Sequence, residues 1–229
     1  MQFGQFRVEV VSGGRFMVDG GTSFGVVPRA LWSRYVQPNE NNCIQHATNC
    51  LFIDTGRNRV LVDAGYGDKL TEKEIERMAA QPGTPLLESL AAIGVACDDI
   101  DTVIMSHLHF DHAGGLTKLT GDGASLCFPN AEFVVQRQEW MHAMADLPEL
   151  RGAYAPEYLA PLSDSGRLRL VDGDVEIVPG LHSMQTGGHT SGHQVVRFES
   201  GGVVGVYLGD LCPTSNHLPN RWCMSFDLD

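Results

Sequence analysis

Short apolar runs broken by Gly, Asn and Asp alternate with segments of helical spacing, and this alternation predicts an α/β chain. Residues 6–11, the break Ser12-Gly13-Gly14 and residues 15–18 read as a hairpin closed by a glycine turn. A second hairpin is expected from residues 50–53 and 60–62 across the polar stretch 54–59. Helix is expected over 71–80, where Thr71 and Glu74 have capping-box spacing, and over 85–93, which sets Leu86, Leu87, Leu90 and Ile93 on one face before Gly94. Further strands are expected over 102–105, 132–135, 168–171, 175–178, 194–198 and 203–208, with a helix over 138–145. No repeat, low-complexity tract or linker interrupts the pattern, so one domain over 1–229 is expected.

Composition narrows the classes of function. With 43% hydrophobic residues in 229, the chain can build one substantial core. A formal net charge of −12 gives no electrostatic reason to bind nucleic acid or anionic lipid. The start lacks a basic region followed by an apolar one, and no stretch is long enough to span a bilayer, so a cytoplasmic chain is expected. Six cysteines without a C-x-x-C pair read as free thiols, with Cys212 close enough in sequence to Asp210 to be considered as a ligand.

The chemistry is concentrated in Ser106-His107-Leu108-His109-Phe110-Asp111-His112, directly after an apolar strand. Three imidazoles and a carboxylate so close together suit a metal ion, and burying them without a common partner would cost free energy at each unsatisfied group. His107 and His109, at i and i+2 in extended backbone, project to the same side and can hold one ion together; Asp111 and His112 lie past the bend and point toward a second. Two later turns offer partners: His189 in Gly187-Gly188-His189-Thr190-Ser191-Gly192-His193, and Asp210 at the end of an apolar strand, where a carboxylate can bridge two cations. Asp63, after residues 60–62, suits a site wall better than a core.

On these residues the chain resembles the metallo-β-lactamase-fold hydrolases: H-x-H-x-D-H is present as His107 to His112, G-H-T-x-G-H as Gly188 to His193, and Asp63 and Asp210 match an L-V-D-x-G motif and a strand-end Asp. The resemblance implies a four-layer αββα sandwich with the site at one edge of its two sheets. It also implies two divalent metal ions, with zinc first and iron or manganese as alternatives. His107, His109 and His189 would hold the first ion, Asp111 and His112 the second, and Asp210 would bridge. The implied reaction is hydrolysis of a small-molecule ester or lactone by a metal-bound hydroxide, with Asp111 and Asp210 as catalytic carboxylates. A glyoxalase-II-like thioesterase and a single-iron sulfur dioxygenase are the alternatives.

The stretch Asn39-Glu40-Asn41 and the loop Gly209–Thr214 look closest to acyl-homoserine-lactone lactonases and organophosphate hydrolases, but Pro213 stands where such lactonases carry a substrate-contacting Tyr. The family also supplies a further His to the second metal beyond the bridging Asp. His217 is the only histidine after 210, so either it substitutes or the domain is C-terminally incomplete, with a weakened second site and an uncovered edge that favours a homodimer. His193 is expected to support the site by hydrogen bonding, and His46, His142 and His182 to be surface or satisfied-core residues.

Overall fold

Side-chain alternation along neighbouring strands sorts the apolar residues into two cores, and this sorting builds the fold. The computed structural model describes residues 1–229 apart from Asp122, Asp146, Arg151 and Asp229. In chain order its elements are β1 (Gln2–Phe3), β2 (Phe6–Asp19), α1 (Gly20–Phe24), α2 (Arg29–Trp32), β3 (Cys43–Asp54), β4 (Arg59–Val62), α3 (Glu72–Met78), α4 (Pro85–Ala92), β5 (Thr102–Ile104) and α5 (Phe110–Ala113). There follow β6 (Thr117–Thr120), β7 (Gly123–Leu126), β8 (Glu132–Gln136), α6 (Arg137–Met144), α7 (Pro156–Asp164), β9 (Leu168–Val171), β10 (Val175–Val178), β11 (Leu181–Gln185), β12 (Gln194–Ser200), β13 (Val203–Tyr207) and α8 (His217–Asn220).

Two sheets carry the structure, one ordered β1-β2-β3-β4-β5-β8-β9 and one ordered β10-β11-β12-β13. In the larger sheet β4, β5, β8 and β9 run parallel, which requires crossovers through helices. Phe52, Leu61, Val103, Phe133 and Val135 point to one face, where Leu86, Leu90, Leu159 and Leu162 of α4 and α7 cover them. Their chain neighbours Leu51, Ile53, Val60, Val62, Ile104 and Val134 point to the other face and pack on Ile177, Leu181, Val196 and Phe198 of the smaller sheet. Helix, large sheet and small sheet are thus stacked as three layers of the αββα arrangement; among the described residues no helix covers the outer face of the small sheet, where Val204 and Val206 are exposed. The outer face of the small sheet carries Glu176 and His182, 3.9 Å apart, and the Arg197–Glu199 ion pair.

Most expected elements are present. The 50–53 and 60–62 hairpin forms, with Leu51 opposite Val62 and Ile53 opposite Val60. α3 is capped reciprocally: the Glu74 N–H donates to Thr71 Oγ1 at 3.3 Å, and the Thr71 N–H donates to Glu74 Oε2 at 2.9 Å. The first hairpin is a correction. Residues 6–19 form one long strand, paired with β3 from Arg7↔Asp54 to Asp19↔Cys43, and Gly13-Gly14 is a bulge within it. Gly14 has φ +118°, and a Cβ there would lie 2.3 Å from the Tyr66 hydroxyl, so the glycine serves close approach rather than chain reversal.

Phe133 lies in the middle of the parallel segment and is fully buried. Phe133→Ala is expected to lower unfolding stability by about 3–5 kcal/mol, read from the shift in denaturant midpoint at constant slope.

Candidate metal centre

Loops leaving strand ends meet at one edge of the two sheets. β4 ends at Val62 and delivers Asp63; β5 ends at Ile104 and, through Met105 and Ser106, delivers His107 and His109, then Asp111 and His112 on the single turn of α5. The smaller sheet contributes His189 from the loop between β11 and β12, and Asp210 from the turn after β13. Gln194 at the start of β12 joins the sheets here: its N–H donates to the Ser106 carbonyl at 2.9 Å and its side-chain amide to the Met105 carbonyl at 2.6 Å. Gly209, at φ +53°, lets the last turn press against Ser106, where a Cβ would come within 2.9 Å.

The sequence-predicted ligands come together in two groups. His107, His109 and His189 each offer an atom within 4.8 Å of the others, and so do His107, His112 and Asp210. Two nitrogens on one tetrahedral zinc lie about 3.3 Å apart; His109 Nδ1 and His189 Nε2 are 3.0 Å apart. Asp210 turns Oδ1 toward His112 Nε2 at 3.3 Å and Oδ2 toward His189 Nε2 at 3.6 Å, so its two oxygens face the two groups. Asp111 Oδ2 is 3.7 Å from His112 Nε2, beside the second group rather than within it. His107 belongs to both groups, not only to the first.

Carboxylate oxygens only accept, so the hydrogen-bond network assigns the ring protons. Buried Asp63 accepts from the Ser106 N–H, the Ser106 hydroxyl and His112 Nδ1, each at 2.7 Å, and its Oδ2 lies 2.8 Å from the Tyr207 hydroxyl. Since the Ser106 hydroxyl donates to Asp63, it accepts from His107 Nδ1 at 3.1 Å. His189 Nδ1 donates to Asp227 Oδ1 at 2.7 Å. All three rings are therefore protonated at Nδ1 and turn Nε2 into the centre. His107 Nε2 is buried without any hydrogen-bond partner, a cost that a cation would remove. This orphaned atom and the His/Asp donor set both fit a divalent ion.

Electrostatics agree with that arrangement. Burial, aided by the surrounding imidazoles, pushes His107 well below its usual pKa and His109 down to about 3, so both rings are neutral with a free lone pair. Burial would raise Asp210, but His112, His189 and His109 outweigh it and keep the carboxylate ionised. Burial likewise opposes a proton on His112, yet Asp210, Asp111 and Asp63 hold one there; a bound cation would take that proton's place. Behind the rings, buried Glu139 accepts from the Leu108 N–H at 2.9 Å, the Tyr154 hydroxyl at 3.0 Å and the Thr190 hydroxyl at 2.6 Å, locking the two histidine loops together.

The remaining histidines and Cys212 take a variety of places around the centre, and two residues not expected at all join its surroundings. His217 is not at the centre: it is buried, stacked on Phe24 at 5.2 Å, with Nε2 donating to the Ser23 carbonyl at 2.8 Å. His46 is no isolated surface or core residue but lines a cavity with Asp111, His112 and Asp210. His193 stands outside both groups, with Nδ1 2.8 Å from the Thr186 hydroxyl. Cys212 lines the same cavity as His46, its thiol donating to the Thr214 carbonyl at 3.4 Å. His142 bonds Ser191, and His182 lies by Glu176 on the outer sheet face. Asp227 and Glu139 have no local signal for these roles: Asp227 meets His189 across 38 residues, and Glu139 meets Leu108 across 31 and Thr190 across 51.

Paired sheets with imidazoles and carboxylates converging from strand-end loops define a metal-site sandwich. Residues 44–223 match the metallo-beta-lactamase superfamily, and the chain belongs to it. An N-acyl homoserine lactonase from Bacillus thuringiensis is 31% identical over 161 residues, 66% of this chain and 58% of its own length. The chain thus spans less than two thirds of the length of that curated relative. A crystal structure of a probable metal-dependent hydrolase from Staphylococcus aureus matches at TM-score 0.92 and 34% identity, covering 100% of this chain and 81% of the other. The fold is also that of AidC, a dizinc quorum-quenching lactonase, at TM-score 0.78 and 23% identity, over 100% of this chain and 80% of AidC. Among the described residues no helix is long and apolar enough to cross a membrane.

Asp63 and Asp227 orient candidate ligands without belonging to either group. Asp63→Asn and Asp227→Asn are each expected to weaken zinc binding by about 10–100-fold in competition with a chromogenic chelator.

Proposed function

We propose that this chain is a metal-dependent hydrolase of small-molecule esters or lactones, working with two divalent cations, zinc first. His107, His109 and His189 are assigned to the first ion, Asp111 and His112 to the second, and Asp210 to both. The observation that carries this reading is the convergence of three Nδ1-anchored imidazoles and a two-faced carboxylate on one buried point, with His107 Nε2 left bare. When bound, such cations supply water that ionises near neutral pH and polarise an acyl carbonyl.

The chain's own residues do the rest. Asp111 is positioned on the cavity side of the cluster to accept a hydrogen bond from the attacking water and to return the proton to the departing alcohol oxygen. Asp210 stays ionised and orients the two sides of the centre against each other. The centre is flanked by a cavity of about 200 Å³ containing Asp111, His112 and Asp210, and by one of about 440 Å³ lined in part by Leu108, Phe110 and Tyr154. Volumes of this order suit a small molecule with an apolar part rather than a polymer. Pro213 lines the smaller cavity, so it offers no side-chain hydroxyl to a substrate carbonyl.

Turnover is tested with a panel of lactones, aryl esters, thioesters and a persulfide on metal-analysed protein. His109→Ala is expected to abolish ester and lactone turnover and to lower metal content; unchanged turnover at full metal content would rule out the role given to His109. Turnover of the thioester or the persulfide alone would replace the proposed substrate class.

A further inference from the structure

His46 and His217 are both unused by the metal centre, and they are linked. His217 Nδ1 lies 2.8 Å from the Thr214 hydroxyl, its Nε2 donates to the Ser23 carbonyl at 2.8 Å, and the Ser23 hydroxyl lies 2.7 Å from His46 Nε2. Ser23 is fully buried, and among the described residues its hydroxyl has no other hydrogen-bond partner. A buried hydroxyl that fails to donate carries an unsatisfied proton, so Ser23 donates to Nε2 and the His46 proton sits on Nδ1. Burial also lowers the pKa of His46, which keeps the ring neutral. Phe16, paired with His46 across β2 and β3, packs its ring 5.9 Å away and helps to fix the imidazole.

His46 lines the 200 Å³ cavity on the side of Asp111, His112 and Asp210. The hydroxyl and thiol donors there are engaged: the Thr48 hydroxyl donates to the Gly14 carbonyl at 3.2 Å, the Tyr207 hydroxyl lies 2.8 Å from Asp63 and from the Asn49 carbonyl, and the Cys212 thiol turns to Thr214. The Asn49 amide, also on the lining, is on an exposed side chain without a partner like the one that fixes His46. His46 Nδ1 has no hydrogen-bond partner among the described residues.

We infer that His46 is a substrate-contacting residue, donating a hydrogen bond from Nδ1 to an ester, lactone or carboxylate oxygen held beside the second group of ligands, with Ser23 and His217 as positioning residues that fix its tautomer. It supplies the polar contact that Pro213 cannot. The identity of the guest as an acyl oxygen rests on the hydrolase reading above; the presence of a fixed donor in the cavity does not.

The test compares His46→Gln, whose longer amide reaches toward Ser23, with His46→Asn, whose shorter amide keeps a donor near the Nδ1 position. Both are loaded with zinc, and binding of 4-hydroxybutyrate, the hydroxy acid from a simple lactone, is measured by calorimetry alongside turnover of the lactone panel. Wild-type zinc content in both variants is expected, with about 3- to 10-fold weaker binding for His46→Gln and near wild-type binding for His46→Asn. Where the lactone is turned over, KM should rise in the same order. Ser23→Ala should give a partial loss. The inference is overturned by wild-type affinity in His46→Gln, by equal losses in both variants, by loss of zinc in both, or by no detectable binding to the wild type. Should the wild type turn over nothing in the panel while the binding pattern holds, the hydrolase reading falls and the role of His46 stands.

Discussion

One buried carboxylate organises this molecule's working edge. Asp63 accepts from the Ser106 backbone, the Ser106 hydroxyl and His112, and lies against the Tyr207 hydroxyl, so it gathers the ends of β4, β5 and β13 and the turn of α5 around a single group. Its own backbone is held at φ +60°, a conformation that a non-glycine residue rarely adopts and that costs of order 1 kcal/mol or more. The surrounding contacts sustain that cost because the carboxylate, buried without them, would be far more expensive. Strain and satisfaction are thus located on the same residue.

From Asp63 the logic spreads by proton direction. Each carboxylate behind the centre forces a donor toward itself and so turns an acceptor inward: directly for His112, through Ser106 for His107, and through Asp227 for His189. Asp227 belongs to a segment that is also tied down elsewhere. Its other oxygen accepts from the Met224 N–H at 2.7 Å, the Leu228 N–H donates to the Gly188 carbonyl at 2.7 Å, and the Ser225 N–H reaches the Thr22 carbonyl at 3.0 Å. That last bond joins the segment to the N-terminal arm, whose Phe24 and Trp32 stack beside His217 and Trp222. Orientation of His189 therefore depends on both ends of the described chain.

What could be read from sequence was what local spacing encodes. The candidate metal-binding cluster was legible because His107, His109 and His112, with Asp111 beside them, fall within six residues, and α3 because Thr71 and Glu74 satisfy each other across one turn. The Gly13-Gly14 pair misled because a bulge and a hairpin turn ask for the same residue; only the approach of Tyr66 separates them. α7 was hidden by Pro161 in its interior, and β11 by His182, Ser183 and Gln185, which give little apolar alternation. Glu139, Asp227 and the Ser23–His46 pair were illegible for a deeper reason. Each is an ordinary polar residue in its own neighbourhood, and its partner is supplied only once distant strands have been brought to one edge.

The central claim is that hydrogen bonds behind the rings decide which nitrogen of each imidazole faces the metal. Long-range proton–nitrogen NMR of the zinc-loaded protein, with ring nitrogens assigned, tests it directly. The account predicts zinc at Nε2 with a protonated Nδ1 for His107, His112 and His189, and zinc at Nδ1 for His109. Rings unchanged by zinc, or zinc at Nδ1 of any of the first three, would contradict it.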